Sequence, residues 1–318
     1  MQRDQNPDRR PPACAQSISV VIPSYRSASV LGAALESVFA QSRPADEVIV
    51  VDDGGDDDTQ EVCRRFVGVR YLRQANAGAS TARNRGAAAA GGDWLAFLDA
   101  DDEWTPNKLE RQVQAMLAQP TADFCITASE VWSEASQEWI TYAWRGSRDP
   151  IALRKRLLIR NIFTGLCSSI LIRREAFEEV GGFADGKCCE DRRIAIDLLE
   201  RRHILILDEA LIRQQPGPAH FSNPERHRRE MIALIEDYDS LFTALDPTGF
   251  LKLRAVSRMH ERSGMHYLEN GDVGAALYDL AHAAVRWPLQ PNPWKALANT
   301  LTRRRTATHR RMAMARSE

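Results

Sequence analysis

Three carboxylates, Asp99, Asp101 and Asp102, fall within four residues at the end of the apolar run Trp94-Leu95-Ala96-Phe97-Leu98. A short continuous apolar run bounded by polar residues reads as a buried strand. Strand interiors disfavour Asp, and like charges this close repel one another. A hard divalent cation at the strand's carboxyl end would relieve that repulsion. Mg²⁺ or Mn²⁺ is typically held by one or two carboxylates together with the phosphate oxygens of a substrate. The same residues also read as a solvated acidic turn, or with Asp102 capping a helix that begins near Pro106. Two further polar clusters have the same setting. Pro23-Ser24-Tyr25 closes the β-branched run Ile18 to Ile22, and Asp52-Asp53-Gly54-Gly55 closes the run Glu47 to Val51.

The elements that must position these clusters alternate at short intervals. Strands are expected at 18–22, 47–51, 69–72 and 94–98. Between and after them, helices are expected at 30–41, 59–66, 78–91 and 106–117. This alternation predicts an α/β fold, a mostly parallel sheet flanked by helices. Ligands of such sheets sit beyond the carboxyl ends of the strands. All three polar clusters occupy that position, so they should converge on one crevice, as in an enzyme. No G-x-G-x-x-G follows the first strand and no P-loop is present, which argues against dinucleotide and P-loop nucleotide sites. Farther on, strands are expected at 124–132, 139–144, 168–172 and 204–207. Helices are expected at 153–159 and 174–180, the latter ending at Gly181-Gly182-Phe183, and Glu190-Asp191 opens another over 192–200. Pro216-Gly217-Pro218 breaks the pattern. The chain is helical from about Pro224, with a helix-turn-helix unit over 268–287 turning at Gly271-Asp272.

Composition sets the outer bounds. The chain has 318 residues, 44% hydrophobic and 27% charged, with a formal net charge of −1. That is an ordinary soluble composition, with no bulk electrostatic case for nucleic acid. No apolar run reaches the length of a membrane span or a signal-peptide core. The cysteines, at 14, 63, 125, 167, 188 and 189, show no C-x-x-C pairing, and several lie in apolar runs. Reduced thiols in a cytoplasmic protein fit this pattern. Residues 1–16 are Pro-, Arg- and Gln-rich and are expected to be a disordered tail. Residues 303–318 form a basic tail that could touch the inner face of an anionic membrane peripherally.

Five motifs, in order, resemble family 2 glycosyltransferases. They are Ser19-Val20-Val21-Ile22-Pro23-Ser24-Tyr25, Val50-Val51-Asp52-Asp53-Gly54-Gly55-Asp56-Asp57-Asp58-Thr59, Asn76 to Gly86, Phe97 to Asp102 followed by Trp104, Pro106, Lys108 and Leu109, and Gly181-Gly182-Phe183 with Glu190-Asp191. The resemblance covers roughly residues 17–215. It implies the GT-A fold and an inverting transfer of a sugar from a nucleotide-diphosphate sugar, expected to be a UDP-sugar, to an acceptor hydroxyl in polysaccharide or glycoconjugate synthesis. It implies a nucleotide-binding half at 17–120 and an acceptor half at 121–215, followed by a C-terminal helical region at 216–302.

The resemblance also implies roles. The donor would lie against Pro23, Ser24, Tyr25, Asp53, Arg83, Asp99 and Ala100. Tyr25 would stack on the base, Asp53 would accept its imide N–H, and Arg83 would lie near the phosphates. Asp101 would bind Mg²⁺ or Mn²⁺, with Asp99 in the metal shell or on the ribose and Asp102 open. Asp191 would be the general base, with Glu190 as the alternative. Acids are also favoured at a helix start for electrostatic reasons alone. Arg193 and Asp197 reverse the signs that the family usually places there, and are expected to keep an i,i+4 ion pair or to send Arg193 into the site. Asp56, Asp57 and Asp58 are expected to face solvent, and His220 reads as a loop residue. A competing reading is a catalytically inactive GT-A-like nucleotide-binding or scaffold protein. A nucleotidyltransferase on the same fold is disfavoured, because its Gly-rich, Arg/Lys-bearing first loop is missing.

Overall fold

The computed structural model describes residues 16–134, 136–186, 189–201, 203–215, 223–289 and 291–299. Expectations for the first fifteen residues, Cys188, Pro216-Gly217-Pro218, His220 and the basic tail fall outside these. The chain divides into two compact units. The first comprises residues up to Glu130 with Gly165–Gly182 and Ile204–Gln214; the second comprises Val131–Thr164, Phe183–His203 and the chain from Gln215 onward.

The first unit is built on a mixed sheet. Its strands are β1 (Ile18–Ser24), β2 (Glu47–Asp52), β3 (Val69–Arg73), β4 (Trp94–Phe97), β5 (Asp102–Trp104), β6 (Phe124–Ser133), β8 (Leu171–Arg173) and β9 (Ile204–Gln214), in the order β3-β2-β1-β4-β8-β6-β9-β5. β1 runs parallel to β2 and β4, and β2 parallel to β3. β8 is antiparallel to β4 and β6, and β5 antiparallel to β9. β1 is buried along its whole length, as expected of a central parallel strand covered on both faces. The helices of this unit are α1 (Ala28–Phe39), α2 (Thr59–Arg64), α3 (Ala79–Ala89), α4 (Lys108–Ala118), α6 (Leu166–Ser169) and α7 (Arg174–Glu179). Gly86 sets the approach of α3 to the sheet: a Cβ there would lie 2.3 Å from Val21 Cγ1.

The second unit holds α5 (Pro150–Ile159), α8 (Glu190–Arg201), α9 (Pro224–Asp237), α10 (Asp239–Leu245), α11 (Phe250–Glu269) and α12 (Val273–Arg286). It also holds β7 (Glu138–Tyr142), which pairs with β6, whose last residues, Val131–Ser133, belong to the same unit. Trp132 and Trp139 meet edge to face there at 5.5 Å. Met231 and Leu234 of α9 and Met259 of α11 form a small core with Cys189, Tyr238 and Val256 against it. The expected turn between the last two helices is present. Asp272 caps α12, its carboxylate accepting from Ala275 N–H at 3.0 Å.

The parallel half follows the sequence expectation closely, and four details elsewhere differ. The strand expected at 168–172 is a helical turn, α6, followed by β8 at Leu171–Arg173. The strand expected at 139–144 is β7 at Glu138–Tyr142. The last strand extends to Gln214 instead of stopping at Leu207, because its far end pairs with β5. β5 itself was not expected; its three residues follow the acidic turn directly.

Candidate functional site

The carboxyl ends of β2, β1 and β4 lie side by side, because Ser24 pairs with Asp52 and Val21 with Phe97. The clusters carrying Tyr25, Asp53 and Asp99 are therefore neighbours within the first unit. Tyr25 is 45% exposed, with its ring accessible and the Arg26 guanidinium 5.3 Å from the ring centroid. Pro23 and Ser24 are buried in the end of β1.

Asp53 is buried and locks the adjoining loop. Its N–H donates to Ser24 O at 2.8 Å. One carboxylate oxygen accepts from Gln74 Nε2 at 2.7 Å and Ala77 N–H at 2.8 Å, the other from Gly78 N–H at 2.8 Å. Gly54, at φ 80°, makes the turn past it. Asp52 accepts from Gly55 N–H at 2.9 Å and Tyr71 Oη at 2.5 Å. Burial, and then the Asp52 carboxylate, push the Tyr71 phenol up to about 12. The acids that follow are structural as well as charged. Asp57 accepts from Ala28 N–H at 2.8 Å and so satisfies the start of α1, while Asp56 pairs with Arg26 at 3.0 Å. The expectation that this run simply faces solvent is corrected for Asp57: an otherwise unsatisfied helix N–H lies within its reach.

The acidic turn divides its three carboxylates. Asp99 is half-buried and paired with the buried Arg83 of α3 at 2.5 Å. Ala100 is buried, and Asp101 is exposed at the tip of a turn closed by Asp102 N–H to Asp99 O at 3.1 Å. Asp102 is 3% exposed at the start of β5. It does not cap α4, whose N-cap is Asn107. Its carboxylate accepts from Ser168 Oγ at 2.5 Å and Gln214 Nε2 at 3.0 Å. Burial, then the Asp99 charge, push the Asp102 carboxyl up to about 8. Ser168 is the hub: its hydroxyl also accepts Asp99 N–H at 3.1 Å, and its carbonyl accepts Trp104 Nε1–H at 2.8 Å.

These residues suit a hard divalent cation. The donors are carboxylate oxygens, one exposed at the tip and one half-buried beside it, and the surplus of negative charge already raises their neighbour's carboxyl. Among the described residues no group of three or more His, Cys, Asp or Glu side chains could hold a metal unaided. A cation held by these two carboxylates would complete its coordination with substrate phosphates.

In the second unit, Glu190 and Asp191 occupy the first turn of α8. Asp191 Oδ2 accepts from Asn161 Nδ2 at 2.7 Å and Oδ1 from Arg192 N–H at 2.7 Å. Arg192 is buried, its Nε donating to Leu157 O and its Nη1 to Met231 Sδ. Arg193 is buried too and pairs with Asp237 of α9 at 2.8 Å. Asp197 takes a hydrogen bond from Tyr238 Oη at 2.8 Å. Arg193 thus reaches Asp237 of α9, while Tyr238 bridges the Asp197 carboxylate and the Arg193 carbonyl.

Sequence reading missed Ser168, Gln214 and Asn161. A serine in an apolar run or an amide at a strand end carries no pattern that distinguishes it. Only the return of distant segments gives each one its carboxylate partner.

The glycosyl transferase family 2 model matches residues 19–181. An uncharacterized glycosyltransferase of Escherichia coli is 39% identical over 126 residues, covering 36% of this chain and 37% of the relative. One from Haemophilus influenzae is 31% identical over 185 residues, covering 58% and 62%. A Bacillus subtilis protein named as a teichuronic acid biosynthesis glycosyltransferase is 37% identical over 111 residues, covering 33% and 44%. The chain thus spans less than two thirds of the length of each of these relatives. Among solved structures, S. aureus TarS 1–349 with UDP-GlcNAc matches with a TM-score of 0.56 at 17% identity, covering 85% of this chain and 91% of that one. A mannosyltransferase of Pyrobaculum calidifontis with GDP-Man and Mn²⁺ matches with a TM-score of 0.57 at 17% identity, covering 92% and 84%. The fold is that of GT-A enzymes, and the chain belongs to glycosyl transferase family 2.

Proposed function

We propose that this chain transfers a sugar, with inversion, from a UDP-sugar to an acceptor hydroxyl in the synthesis of a surface polysaccharide or glycoconjugate. The observation that carries this reading is the adjacency, at the ends of β1, β2 and β4, of an accessible aromatic ring, a buried loop-locking carboxylate and an acidic turn of divided character. In this proposal Tyr25 stacks on the base. Asp53, besides fixing the 74–78 loop, offers a remaining lone pair to the imide N–H. Pro23, Ser24 and Ala100 supply the floor under the donor. Arg83 fixes Asp99, which contacts the ribose or metal shell.

Asp101, with Asp99, would hold Mg²⁺ or Mn²⁺. Such an ion, when bound, neutralises the charge that builds on a leaving diphosphate. Asp191 is the proposed base that takes the acceptor's proton, oriented by Asn161, with Glu190 as the alternative. The P. calidifontis structure with GDP-Man and Mn²⁺ supports the cation by fold analogy, and the B. subtilis relative's name supports the polysaccharide setting.

No helix among the described residues is long and apolar enough to cross a membrane. For location we propose the cytoplasm, with peripheral contact at the membrane's inner face. Val285, Leu289 and Trp294, exposed at 75%, 82% and 48%, precede the basic tail. Titration calorimetry with UDP, with and without Mn²⁺, tests the donor site, and a nucleotide-sugar turnover screen identifies the sugar. Asp101→Ala should abolish metal-dependent binding. Asp191→Asn should keep binding but lower transfer by about 10²-fold or more. Absence of metal-dependent nucleotide binding by the native chain would overturn the reading.

A further inference from the structure

Arg26 is held in an unusual backbone state next to the ring proposed to carry the base. Its φ is 53°, in the left-handed region, where a residue with a Cβ is disfavoured and Gly or Asn is at ease. Among the described residues only Gln137 and Cys189 share that state without being glycine. Such strain persists only where the surroundings fix it, and it collects at functional sites.

The surroundings of Arg26 all belong to the first unit. The turn after β2 lies directly on its backbone: a Cβ at Gly55 would meet Arg26 N at 3.0 Å. That turn is pinned on both sides. Gly55 N–H donates to Asp52 at 2.9 Å, Gly55 O accepts from Arg73 Nη2 at 2.8 Å, and Asp57 accepts from Ala28 N–H at 2.8 Å. Asp56, between them, meets the Arg26 guanidinium side-on, with Nε 3.0 Å from Oδ1 and Nη2 3.5 Å from Oδ2. The same guanidinium lies 5.3 Å from the Tyr25 ring centroid. The side chains of the pair are 60% and 79% exposed. An ion pair this exposed contributes little to stability, so stability does not account for a strained arginine here. A side-on fork engages Nε and one N–H of Nη2 and leaves both N–H groups of Nη1 uncommitted to the pair.

We propose that Arg26 reads the nucleobase: with the base stacked on Tyr25 and its imide N–H at Asp53, Nη1 of Arg26 donates to the carbonyl beside that N–H. This deepens the donor reading given above and rests on it. The edge of uracil runs carbonyl, N–H, carbonyl. A carboxylate at the centre and a guanidinium at one flank match that order, and a guanidinium donating to a base carbonyl is the commonest specific contact of a side chain with a base. The two readers are tied to one another through the backbone, because Asp53 N–H donates to Ser24 O at 2.8 Å, two residues before Arg26. Asp56 is then a positioning residue that orders the guanidinium before the donor arrives.

The test is calorimetric titration of the full chain, with Mn²⁺, with UDP, UMP and ADP. Arg26→Asn suits the left-handed backbone and should fold. It should weaken UDP and UMP by the same factor, about tenfold, and ADP, whose base stacks but carries no carbonyl, by less than about twofold. Arg26→Lys should not restore the loss, because an ammonium cannot fork Asp56 and reach the base together. Asp56→Ala, which frees the guanidinium without removing it, should cost UDP a smaller factor. A loss larger for UDP than for UMP would make Arg26 a phosphate contact, and an equal loss for ADP would make it a contact indifferent to the base; either result overturns the assignment. If ADP binds too weakly to measure, the comparison of UMP with UDP decides. If the native chain binds UDP and Arg26→Asn leaves that affinity unchanged, the donor reading stands and this assignment falls. If the native chain binds no nucleotide, both fall.

Discussion

At Asp102 a carboxyl is buried beside two other acids, held by the Ser168 hydroxyl and the Gln214 amide. Ser168 Oγ donates to Asp102 and accepts from Asp99 N–H. Ser168→Ala would remove the partner of Asp99 N–H and leave Asp102 with Gln214 as its donor, in a place water reaches poorly. It should cost about 1–3 kcal/mol, read as a lower urea midpoint with unchanged slope. An unchanged midpoint would mean that Gln214 alone suffices. Asp101 sits at the exposed tip, and nothing in the fold rests on its burial. Asp101→Ala should therefore keep the native midpoint within about 0.5 kcal/mol while removing metal-dependent turnover.

Among the elements, α3 and the α8–α9 pair show how packing sets chemistry at a distance. Gly86 lets α3 lie against Val21 closely enough for Arg83 to reach Asp99. Gly86→Ala should destabilise by about 1–3 kcal/mol through overpacking against a stiff β-branched neighbour. It should also weaken nucleotide binding by moving Arg83; full affinity with full stability would refute the coupling. In the second unit, Tyr238 joins α8 and α9 through Asp197 while Arg193 pairs with Asp237. Tyr238→Phe should cost about 1–3 kcal/mol by urea denaturation, because Asp197 is then left partly desolvated without its donor. These elements were unequally legible. The parallel strands announce themselves as apolar runs, and the helices between them keep a 3.6-residue period. β5 and α6 do not, because three or four residues carry no period and their partners are far along the chain. The base candidate Asp191 was readable from its motif, but Asn161, which holds it, was not: it gains meaning only from the fold of the second unit.

For the molecule as a whole, charge is unevenly used. Residues 250–318 hold twelve Lys and Arg against five Asp and Glu, in a chain whose formal net charge is −1. Inside the first unit the opposite economy applies to one cation. Lys108 is fully buried, 3.8 Å from the Trp104 ring centroid, and its Nζ has no hydrogen-bond partner among the described residues. Burial depresses its amine to about 7. The unfolded chain keeps that proton up to about pH 10.4. Between these values the unfolded state binds more protons, so stability should rise with pH from about 7 to 10, and the penalty is full below 7. Lys108→Met should raise stability at pH 7 on the order of 1–4 kcal/mol and flatten that rise in urea melts across pH. An unchanged slope would show that Lys108 is hydrated. The first unit is also assembled from three stretches of chain, the last ending at Gln214. Ser168 and Gln214, the two donors to Asp102, belong to the second and third of them. During synthesis the acidic turn therefore leaves the ribosome well before its donors do. A nascent chain halted before Gln214 would carry the acidic turn unsupported, with β5 lacking the neighbour, β9, that it has among the described strands. On the proposed function, readiness to take a cation would be set late in translation, when the third stretch returns, and not when the motif itself is made.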